Sequence, residues 1–509
     1  MKRFAIHTKT LFSTQHANGD LSRKFIRGGM STIAAQVTQS VLQLVRAIVL
    51  ARLLTPDDFG LVGMVLVVTN FVQLFRDAGL SLATVQKEMI THEQVSTLFW
   101  LIVMISASLA GILCLMAPLV ASFYGKQELA LITAVMSLSL LFGGLAIQHQ
   151  ALMRRHMQFG SLAIINITSA MLSLVVTILL AILGCRYWAL VLGLLASTLS
   201  STLMTYACIP WIPGKMRKGT GVRCMLNFGG HVTGANIVNY LSLNVDNVLI
   251  GKFLGASALG LYARAYQLFM LPITQIKAPL LQLAMPVLAS LKHQRERYTR
   301  YYQYIVRLLA TMTMPVAFYC IVEAEFLIRL LLGDQWLEAI AVFRILAVAG
   351  IIRPVTGTWG LVTVSCGFSK RYLYWGIVNS LVMVVAIVSG LPFGISGVAY
   401  AIVVATYIMF LPCLHYCFHK TPVTVSLFLT SVCGPLWASA VAAATTLLIM
   451  QQFNVTMFGH HLLVACLFGV AYMFMTFCQG AARRDMKILV QRMISLSQTK
   501  NPSVMEAAL

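Results

Sequence analysis

Acidic side chains are scarce in this sequence: 15 of its 509 residues are Asp or Glu, against 37 Lys and Arg. Long hydrophilic stretches are scarce too, since none exceeds about 30 residues. There is no Walker-type loop, whose glycines and lysine would cradle the phosphates of a nucleotide. These absences exclude a nucleotide-binding domain, energy from ATP bound by this chain, and a large water-exposed domain.

Disulfide, metal and cofactor sites are not expected either. The eleven cysteines lie mostly in or beside apolar runs, where cysteine behaves as a small hydrophobic residue. Apolar sequence dominates, because 59% of the residues are hydrophobic and the mean hydropathy is +0.83. Runs of about 20 apolar residues, each long enough to cross a bilayer as a helix, recur from residue 29 to residue 480. The sequence therefore predicts an all-α polytopic membrane protein with about fourteen transmembrane helices.

The basic residues are distributed unevenly between alternate connections. Residues 1–28 are basic and lack the apolar region of a signal peptide. If they are cytoplasmic, 25 of the 37 Lys and Arg fall on the cytoplasmic side and five on the outer side. This positive-inside distribution predicts that both termini are cytoplasmic. It assigns the net charge of +22 to topology and anionic membrane lipids, with no nucleic acid as a partner.

A weak internal repeat has an offset of 200 residues. Residues 29–80 align with 229–280 without a gap and share eight identities, among them Gly60 with Gly260. Both copies begin on the same side, which predicts two six-helix lobes related by an axis along the membrane normal, forming a V-shaped cavity, plus two C-terminal helices. The predicted segments are a cytoplasmic N-tail at 1–28, the N-lobe at 29–207, a cytoplasmic linker at 208–227, the C-lobe at 228–417, helices 13 and 14 at 418–480, and a cytoplasmic C-tail at 481–509.

Polar residues form matching stripes on the first helix of each copy. The first stripe is spaced i, i+3, i+7 and i+10, which places its members on one helical face, and the second occupies equivalent positions. Amides and charges are poorly suited to lipid, so we predict that both stripes line a central substrate cavity. The alternative is hydrogen bonding between helices inside a bundle. The stripes consist of Gln36, Gln39, Gln43 and Arg46, and of Asn236, Asn239 and Asp246.

Two opposed charge pairs follow from the same offset. Arg46 and Asp246 are repeat-mates about 26 Å along their helices, towards the outer leaflet. Asp77 and Lys277 are repeat-mates near the cytoplasmic end, with Arg76 beside them. We predict that the pairs are electrostatic latches that close alternately as the lobes rock. The alternatives are a static outer ion pair and inner side chains that reach the headgroups.

Basic residues also outnumber acidic residues within the predicted spans, by seven to two. A cavity lined with this excess favours an anionic substrate. Arg264, in the middle of the eighth span, is the strongest further candidate for the lining, and Arg353 is another.

Four stretches together resemble one known family. In order and spacing they are similar to the polysaccharide transporter family, which includes oligosaccharide flippases, colanic-acid exporters and lipopolysaccharide biosynthesis proteins. This family belongs to the multidrug/oligosaccharidyl-lipid/polysaccharide exporter superfamily. The resemblance covers about residues 21–480. The stretches are VLARLLTPDDFGLVGMVLV (49–67), FRDAGLSLATVQKE (75–88), QALMRRHMQF (150–159) and LLLGDQWLEAIAVFRILAVAGIIRPV (330–355).

The resemblance implies a function that the residues alone only permit. Family members move undecaprenyl-diphosphate-linked oligosaccharides to the outer leaflet of the bacterial inner membrane, and no enzymatic activity is expected. A diphosphate suits an arginine-rich lumen, and the amides would bind sugar hydroxyls. Asp246 is the carboxylate expected to titrate if protons drive transport; Na+ is the other candidate coupling ion. Polysaccharide polymerase and chain-length proteins are expected partners by analogy with the family.

Three other functions stay open. An ion-coupled multidrug exporter of the same superfamily often expels organic cations, and the basic excess counts against it. A membrane polymerase or ligase usually carries a large outer loop, whereas the longest outer segment here, 323–339, is largely apolar. An accessory scaffold without transport is the third. The acidic residues of that segment, interpreted as solvated loop charges, are Glu323, Glu325, Asp334 and Glu338.

Overall fold

The computed structural model describes residues 21–77, 79–86, 90–209, 211–217, 222–452 and 458–478. Every regular element in these ranges is a helix. The predicted tail at 481–509, and residues 1–20 of the tail predicted at 1–28, lie outside the described residues. The helices are α1 Leu21–Leu53, α2 Pro56–Asp77, α3 Leu80–Gln86, α4 His92–Tyr124, α5 Glu128–Arg155, α6 Phe159–Ile182, α7 Tyr187–Cys208, α8 Val222–Ser290, α9 Arg295–Val322, α10 Ala324–Leu331, α11 Ala339–Thr356, α12 Trp359–Ser365, α13 Ser369–Gly390, α14 Gly394–Phe418, α15 Val425–Gln452 and α16 Phe458–Cys478.

Eleven ranges of the described residues are long and apolar enough to cross a bilayer. This confirms the prediction of an all-helical multi-pass membrane protein. Two of the ranges, Leu243–Ser290 and Ser369–Phe418, have 48 and 50 residues, more than twice the about 20 residues that one crossing needs. The predicted number of fourteen crossings is not confirmed.

Helix α8 doubles back on itself at Gly255. The φ of 89° at Gly255 interrupts the helical backbone, and glycine adopts this left-handed region without steric cost. The hydroxyl of Tyr262 lies 2.9 Å from a carboxylate oxygen of Asp246, although sixteen residues of straight helix would separate them by about 24 Å. The segments of α8 that flank Gly255, from Asp246 to Tyr262, therefore run antiparallel and side by side.

The order of helices repeats along the chain as the sequence repeat predicts. Helix α1 ends at Leu53 and α2 begins at Pro56, and 200 residues later the turn of α8 falls at Gly255. The predicted turn between spans is thus found in both copies. Four further long helices follow in each copy: those beginning at His92, Glu128, Phe159 and Tyr187 in the first, and at Arg295, Ala339, Ser369 and Gly394 in the second.

The two repeat turns contact each other reciprocally through glycines. A methyl group on Gly60 would overlap the backbone carbonyl of Ala256, and a methyl group on Gly260 would overlap the carbonyl of Pro56. Because Pro56 and Ala256 are themselves 200 residues apart, each copy makes the same contact on the other. Both glycines are conserved between the two copies because only a residue without a side chain fits there.

The chain divides into two compact units. The first contains the residues up to Arg264 together with Leu331–Trp336, and the second contains Ala265–Leu330 and the residues from Leu337 onward. The boundary thus falls within α8, whereas the predicted linker was 208–227. The predicted lobes at 29–207 and 228–417 stay a prediction.

Each unit has its own buried apolar cluster. In the first unit, α4 packs along α5, and Phe99 and Trp211 lie in a cluster that also contains Leu152. In the second unit, α15 packs between α9 and α16, where Ala442 and Phe468 are buried. These interiors hold the helices that position the charged residues.

Candidate functional site

Asp246 is a half-buried carboxylate of the first unit that two hydrogen bonds hold in place. One carboxylate oxygen accepts a hydrogen bond of 2.9 Å from the hydroxyl of Tyr262, and the other accepts one of 2.9 Å from the backbone N–H of Asn247. Tyr262 is 1% exposed, so its hydroxyl is held in place. Hydrogen bonds to a carboxylate stabilise its charged form, which makes an aspartate tolerable between apolar helices.

Two arginines of the first unit lie near each other, Arg264 and the repeat-mate of Asp246, Arg46. The guanidinium of Arg264, two residues after Tyr262, lies 3.7 Å from the centre of the Phe59 ring. Arg46 is near enough to Arg264 for their charges to repel each other. The Phe59 ring attracts this guanidinium as a cation–π partner. Arg46, Arg264, Asp246 and Tyr262, which we call the upper cluster, contain two basic side chains and one acidic side chain.

The TPDDFG stretch at 55–60 builds the support beneath Arg264. The hydroxyl and N–H of Thr55 donate to the Asp58 carboxylate at 2.7 and 3.0 Å, which caps the start of α2. Asp57 pairs with Lys126 at 3.1 Å. The next residue, Phe59, is 7% exposed, and its ring lies 5.6 Å from the ring of Trp336. The family-like stretch thus fixes the aromatic face on which Arg264 rests.

Side chains of the GDQW stretch at 333–336 cap the C-terminal end of α1. The indole N–H of Trp336 donates to the carbonyl of Ala51 at 2.8 Å, and the amide of Gln335 donates to the carbonyl of Leu54 at 3.1 Å. The last carbonyls of a helix lack partners within the helix, so these side chains supply them. Fixing this end of α1 also fixes Arg46, two turns before it.

The predicted polar stripes are accessible in part. Gln36 and Gln43 are exposed, and Gln39 and Arg46 are half-buried. In the second copy Asn236 is exposed and Asp246 is half-buried, whereas the side chain of Asn239 lies outside the described residues. The accessibility of the stripes agrees with a cavity or a lipid-facing surface alike, so the predicted lining stays a prediction.

The predicted outer latch is not closed as an ion pair within the residues described here. Asp246 is bonded to Tyr262, and Arg46 forms no ion pair with it in the described part of the chain. Asp77 accepts from the N–H of Ser81 at 2.9 Å and from its hydroxyl, which caps α3. Its neighbour Arg76 donates to the carbonyl of Ser139 at 3.4 Å. Lys277, the predicted partner of Asp77, belongs to the second unit. Both latches therefore stay predictions.

A second basic pair lies in the second unit. Lys277 is near enough to Arg353 for their charges to repel, and its ammonium lies against Gly357. Arg353 and Gly357 line a cavity of about 160 Å³ together with Trp359, Trp375 and Asn379. The sequence had assigned Arg353 to the substrate cavity and Lys277 to a latch; the structure brings them together at one site.

Tyr262 is the residue of the upper cluster that sequence reasoning missed. Its repeat-mate is Val62, so the stripe pattern could not identify it. The signal was present in the turn, because residues equidistant from a helical hairpin turn lie at equal depth. Asp246 lies nine residues before Gly255 and Tyr262 lies seven after it, so a hairpin at Gly255 brings them to within about 3 Å of the same depth.

The interpretation of Glu323 as a solvated loop charge is wrong. Its side chain is 2% exposed, and a carboxylate oxygen lies 2.9 Å from the Nδ1 of His461, whose ring stacks on Phe326 with centroids 4.0 Å apart. Burial raises the pKa of the Glu323 carboxyl, and the facing His461 opposes that rise. Glu323 ties the end of α9 to α16, whereas Glu325, Asp334 and Glu338 are exposed as predicted.

Known proteins share sequence with most of this chain. The family described as Polysaccharide biosynthesis protein matches residues 49–341, more than half of the 509 residues. The teichuronic acid biosynthesis protein TuaB of Bacillus subtilis is 25% identical over 357 residues, covering 70% of this chain and 74% of TuaB. The lipopolysaccharide biosynthesis protein WzxC of Escherichia coli is 24% identical over 376 residues, 73% and 76% of the two chains. The succinoglycan biosynthesis transport protein ExoT of Rhizobium meliloti is 28% identical over 352 residues, 69% and 71% of the two chains.

Solved structures share the fold. The lipid II flippase MurJ, in an inward closed conformation, matches with a TM-score of 0.72 and 15% identity, covering 89% of this chain and 98% of MurJ. An inward-facing multidrug resistance MATE family transporter of the MOP superfamily matches with a TM-score of 0.59 and 16% identity, covering 77% of this chain and 98% of its own. At such identities the likeness shows the fold alone, and it confirms the exporter-like fold that the sequence predicted.

Proposed function

The chain belongs to the family of polysaccharide biosynthesis proteins, and on that premise we propose that it translocates oligosaccharide repeat units linked to undecaprenyl diphosphate across the bacterial inner membrane. The repeat units supply the synthesis of an exopolysaccharide, a capsule or a lipopolysaccharide. The protein acts as a transporter and catalyses no covalent step. Polymerase and chain-length proteins would receive the translocated units.

The upper cluster is the observation that carries this proposal. Arg264 rests on Phe59 at 3.7 Å, and Arg46 repels it from nearby. A diphosphate would be attracted by both guanidinium groups and could accept paired hydrogen bonds from them, which is the geometry that arginine recognises best. Names of the relatives support the same substrate class, since ExoT is described as a succinoglycan biosynthesis transport protein.

The direction of transport follows from the proposed topology. The excess of Lys and Arg on one side supports cytoplasmic N- and C-termini, which places the turns at 53–56 and 255 on the outer side. The repeat unit would enter from the cytoplasmic leaflet and leave by alternating access. In this cycle Arg46 with Asp246 would close the outer gate, and Asp77 with Lys277, beside Arg76, would close the inner gate.

A coupling ion would act at Asp246. Its two carboxylate oxygens are held by Tyr262 and by the N–H of Asn247, so protonation would break an ordered arrangement. A proton, or Na+ bound to the same oxygens, would weaken the attraction between Asp246 and the arginines. Release of that attraction is the step by which an ion gradient would drive the cycle.

Deletion of the gene in the native bacterium tests the proposed function. We expect surface polysaccharide to be lost and undecaprenyl-linked oligosaccharide to accumulate on the inner leaflet. The intact gene restores export, whereas Arg46→Ala or Arg264→Ala lowers it at least about tenfold, the effect of removing about 1.4 kcal/mol of binding. Arg344→Ala is the matched control, because Arg344 is exposed.

The opposite result identifies the rival function. If no lipid-linked oligosaccharide accumulates, and the deletion strain instead changes its sensitivity to cationic drugs, the protein is a multidrug exporter. If the Arg46→Ala gene corrects the accumulation as fully as the intact gene does, the upper cluster is not part of the transport path.

A further inference from the structure

Lys277 and Arg353 form a basic pair without an acidic partner in the second unit. Their charges repel each other, and both side chains are half-buried. Neither forms an ion pair or a side-chain hydrogen bond within the described residues. Two cations held together away from bulk water are unfavourable unless an anion joins them. The described residues of the second unit therefore supply no anion to the pair, and an anion of the substrate can join it whenever the proposed inner gate between Asp77 and Lys277 is open.

Gly357 makes room for the ammonium of Lys277. Its φ of −58° and ψ of −8° belong to the ordinary right-handed region, so the backbone does not require glycine at this position. The available space does require glycine, because a methyl group on Gly357 would overlap the Nζ of Lys277. The same glycine lines the cavity beside Arg353. Its missing side chain leaves room for the Lys277 ammonium against a residue that lines the cavity.

The lining of this cavity combines two indoles and a few polar groups with methionine, phenylalanine and cysteine side chains. Two indoles, Trp359 and Trp375, and the amide of Asn379 join Arg353 around it. The ring of Trp359 lies 4.9 Å from that of Tyr372, and Trp375 is 7% exposed, so both indoles are held in place. Rigid aromatic faces with a few convergent polar groups are typical of small-molecule sites. The faces suit a sugar ring, and the amide suits its hydroxyls.

The size of the cavity limits what it can hold. Its volume of about 160 Å³ is below the range of roughly 300–1,000 Å³ typical of pockets for drug-sized ligands. One sugar ring with its substituents is the appropriate occupant. Because the basic pair has no anion of its own, that ring should carry one.

We propose that Lys277, Arg353 and the tryptophan-lined cavity form a subsite for a single acidic sugar, one bearing a carboxylate, within the transported repeat unit. This inference rests on the proposed function, which it deepens by naming a feature of the substrate. Arg353 and Lys277 bind the carboxylate, Trp359 and Trp375 hold the ring, and Asn379 bonds to a hydroxyl. The subsite selects repeat units that contain a uronic acid.

Binding of sodium glucuronate to the purified full-length protein in detergent tests the subsite, with glucose as the neutral comparison. Tryptophan fluorescence should report saturable glucuronate binding at least about tenfold tighter than glucose binding, a difference of about 1.4 kcal/mol. Lys277→Met removes one cation, and Gly357→Ala displaces the same cation without removing it. Both should weaken glucuronate binding about tenfold, and Lys277→Arg should retain most of it.

Controls separate this result from misfolding and from general anion binding. Arg344→Met changes an exposed arginine on the same helix, α11, and should leave binding unchanged. Equal binding of glucose and glucuronate would overturn the proposal. So would inorganic phosphate binding as tightly as glucuronate, since the pair would then serve any anion, including a lipid phosphate. Unaltered glucuronate binding in a correctly folded Gly357→Ala variant, judged by its melting temperature, would also overturn it.

The two proposals fail on different measurements. Loss of glucuronate binding says nothing about lipid-linked oligosaccharide in the deletion strain. Conversely, a strain that accumulates no such lipid would refute transport even if the purified protein bound glucuronate.

Discussion

Asp246 shows how single hydrogen bonds make charge tolerable between apolar helices. Its carboxylate accepts from a side-chain hydroxyl and from a backbone N–H, both at 2.9 Å. An unpartnered carboxylate would be strongly unfavourable there. Sequence periodicity located Asp246 and Arg46 but could not identify Tyr262 or Phe59 as their supports, because those contacts depend on how the two halves of α8 and the start of α2 meet.

The Tyr262 hydroxyl should matter more than an equivalent hydroxyl bonded to a neutral group. Tyr262→Phe removes a hydrogen bond to a carboxylate, worth about 1.5–3 kcal/mol, whereas a neutral bond is worth about 0.5–1.5 kcal/mol. Tyr240→Phe is the matched control, since Tyr240 donates to the backbone carbonyl of Val67 at 2.8 Å. Thermal unfolding in detergent should therefore show the larger loss for Tyr262→Phe. Equal losses would mean that Asp246 is neutral or takes another donor.

At the scale of elements, the repeat predicted the turns better than it predicted the helices. The matched stretches at 51–62 and 251–262 indicated a turn in each copy, and the structure places one at residues 53–56 and the other at Gly255. The short helices α3, α10 and α12 were not predicted, because seven or eight residues give too little periodicity. Neither did the pattern reveal that Gln335 and Trp336 close the end of α1.

Contact between the two turns depends on Gly60. Gly60→Ala places a methyl group against the backbone carbonyl of Ala256, which cannot move aside as a side chain would. We expect a loss of about 1–3 kcal/mol or more in stability, measured as a lower melting temperature. Gly63→Ala, on the same helix, meets the Leu259 side chain at an ordinary 3.5 Å and should be nearly neutral. Similar behaviour of the two variants would show that the turns separate easily.

At the scale of the whole molecule, composition and the family-like stretches predicted most of what the comparisons bear out. The apolar runs predicted a multi-pass helical protein, and the order of family-like stretches predicted the exporter fold. The division of the chain was not predictable in the same way. Leu331–Trp336 joins the first unit through the hydrogen bonds of two side chains to α1, which no hydropathy pattern reveals.

The outer latch is a property of the whole transport cycle. Arg46→Gln or Asp246→Asn alone should lower export, because one charge of the proposed gate is lost. Exchange of both residues, Arg46→Asp with Asp246→Arg, should retain more export than either single change, since the attraction is kept. Accumulation of lipid-linked oligosaccharide in complemented deletion strains measures the three variants. A doubly exchanged protein as inactive as the single variants would refute the latch.

The reciprocal glycine contacts have a consequence for the origin of the chain. Gly60 meets Ala256 and Gly260 meets Pro56, which is the pattern of an isologous interface, in which residue i of one subunit meets residue j of the other and j meets i. A half-length ancestor could make both contacts by pairing with a second copy of itself, using one glycine and one turn. Gene fusion would then have turned a homodimer into a single polypeptide, and left each half free to acquire its own charges.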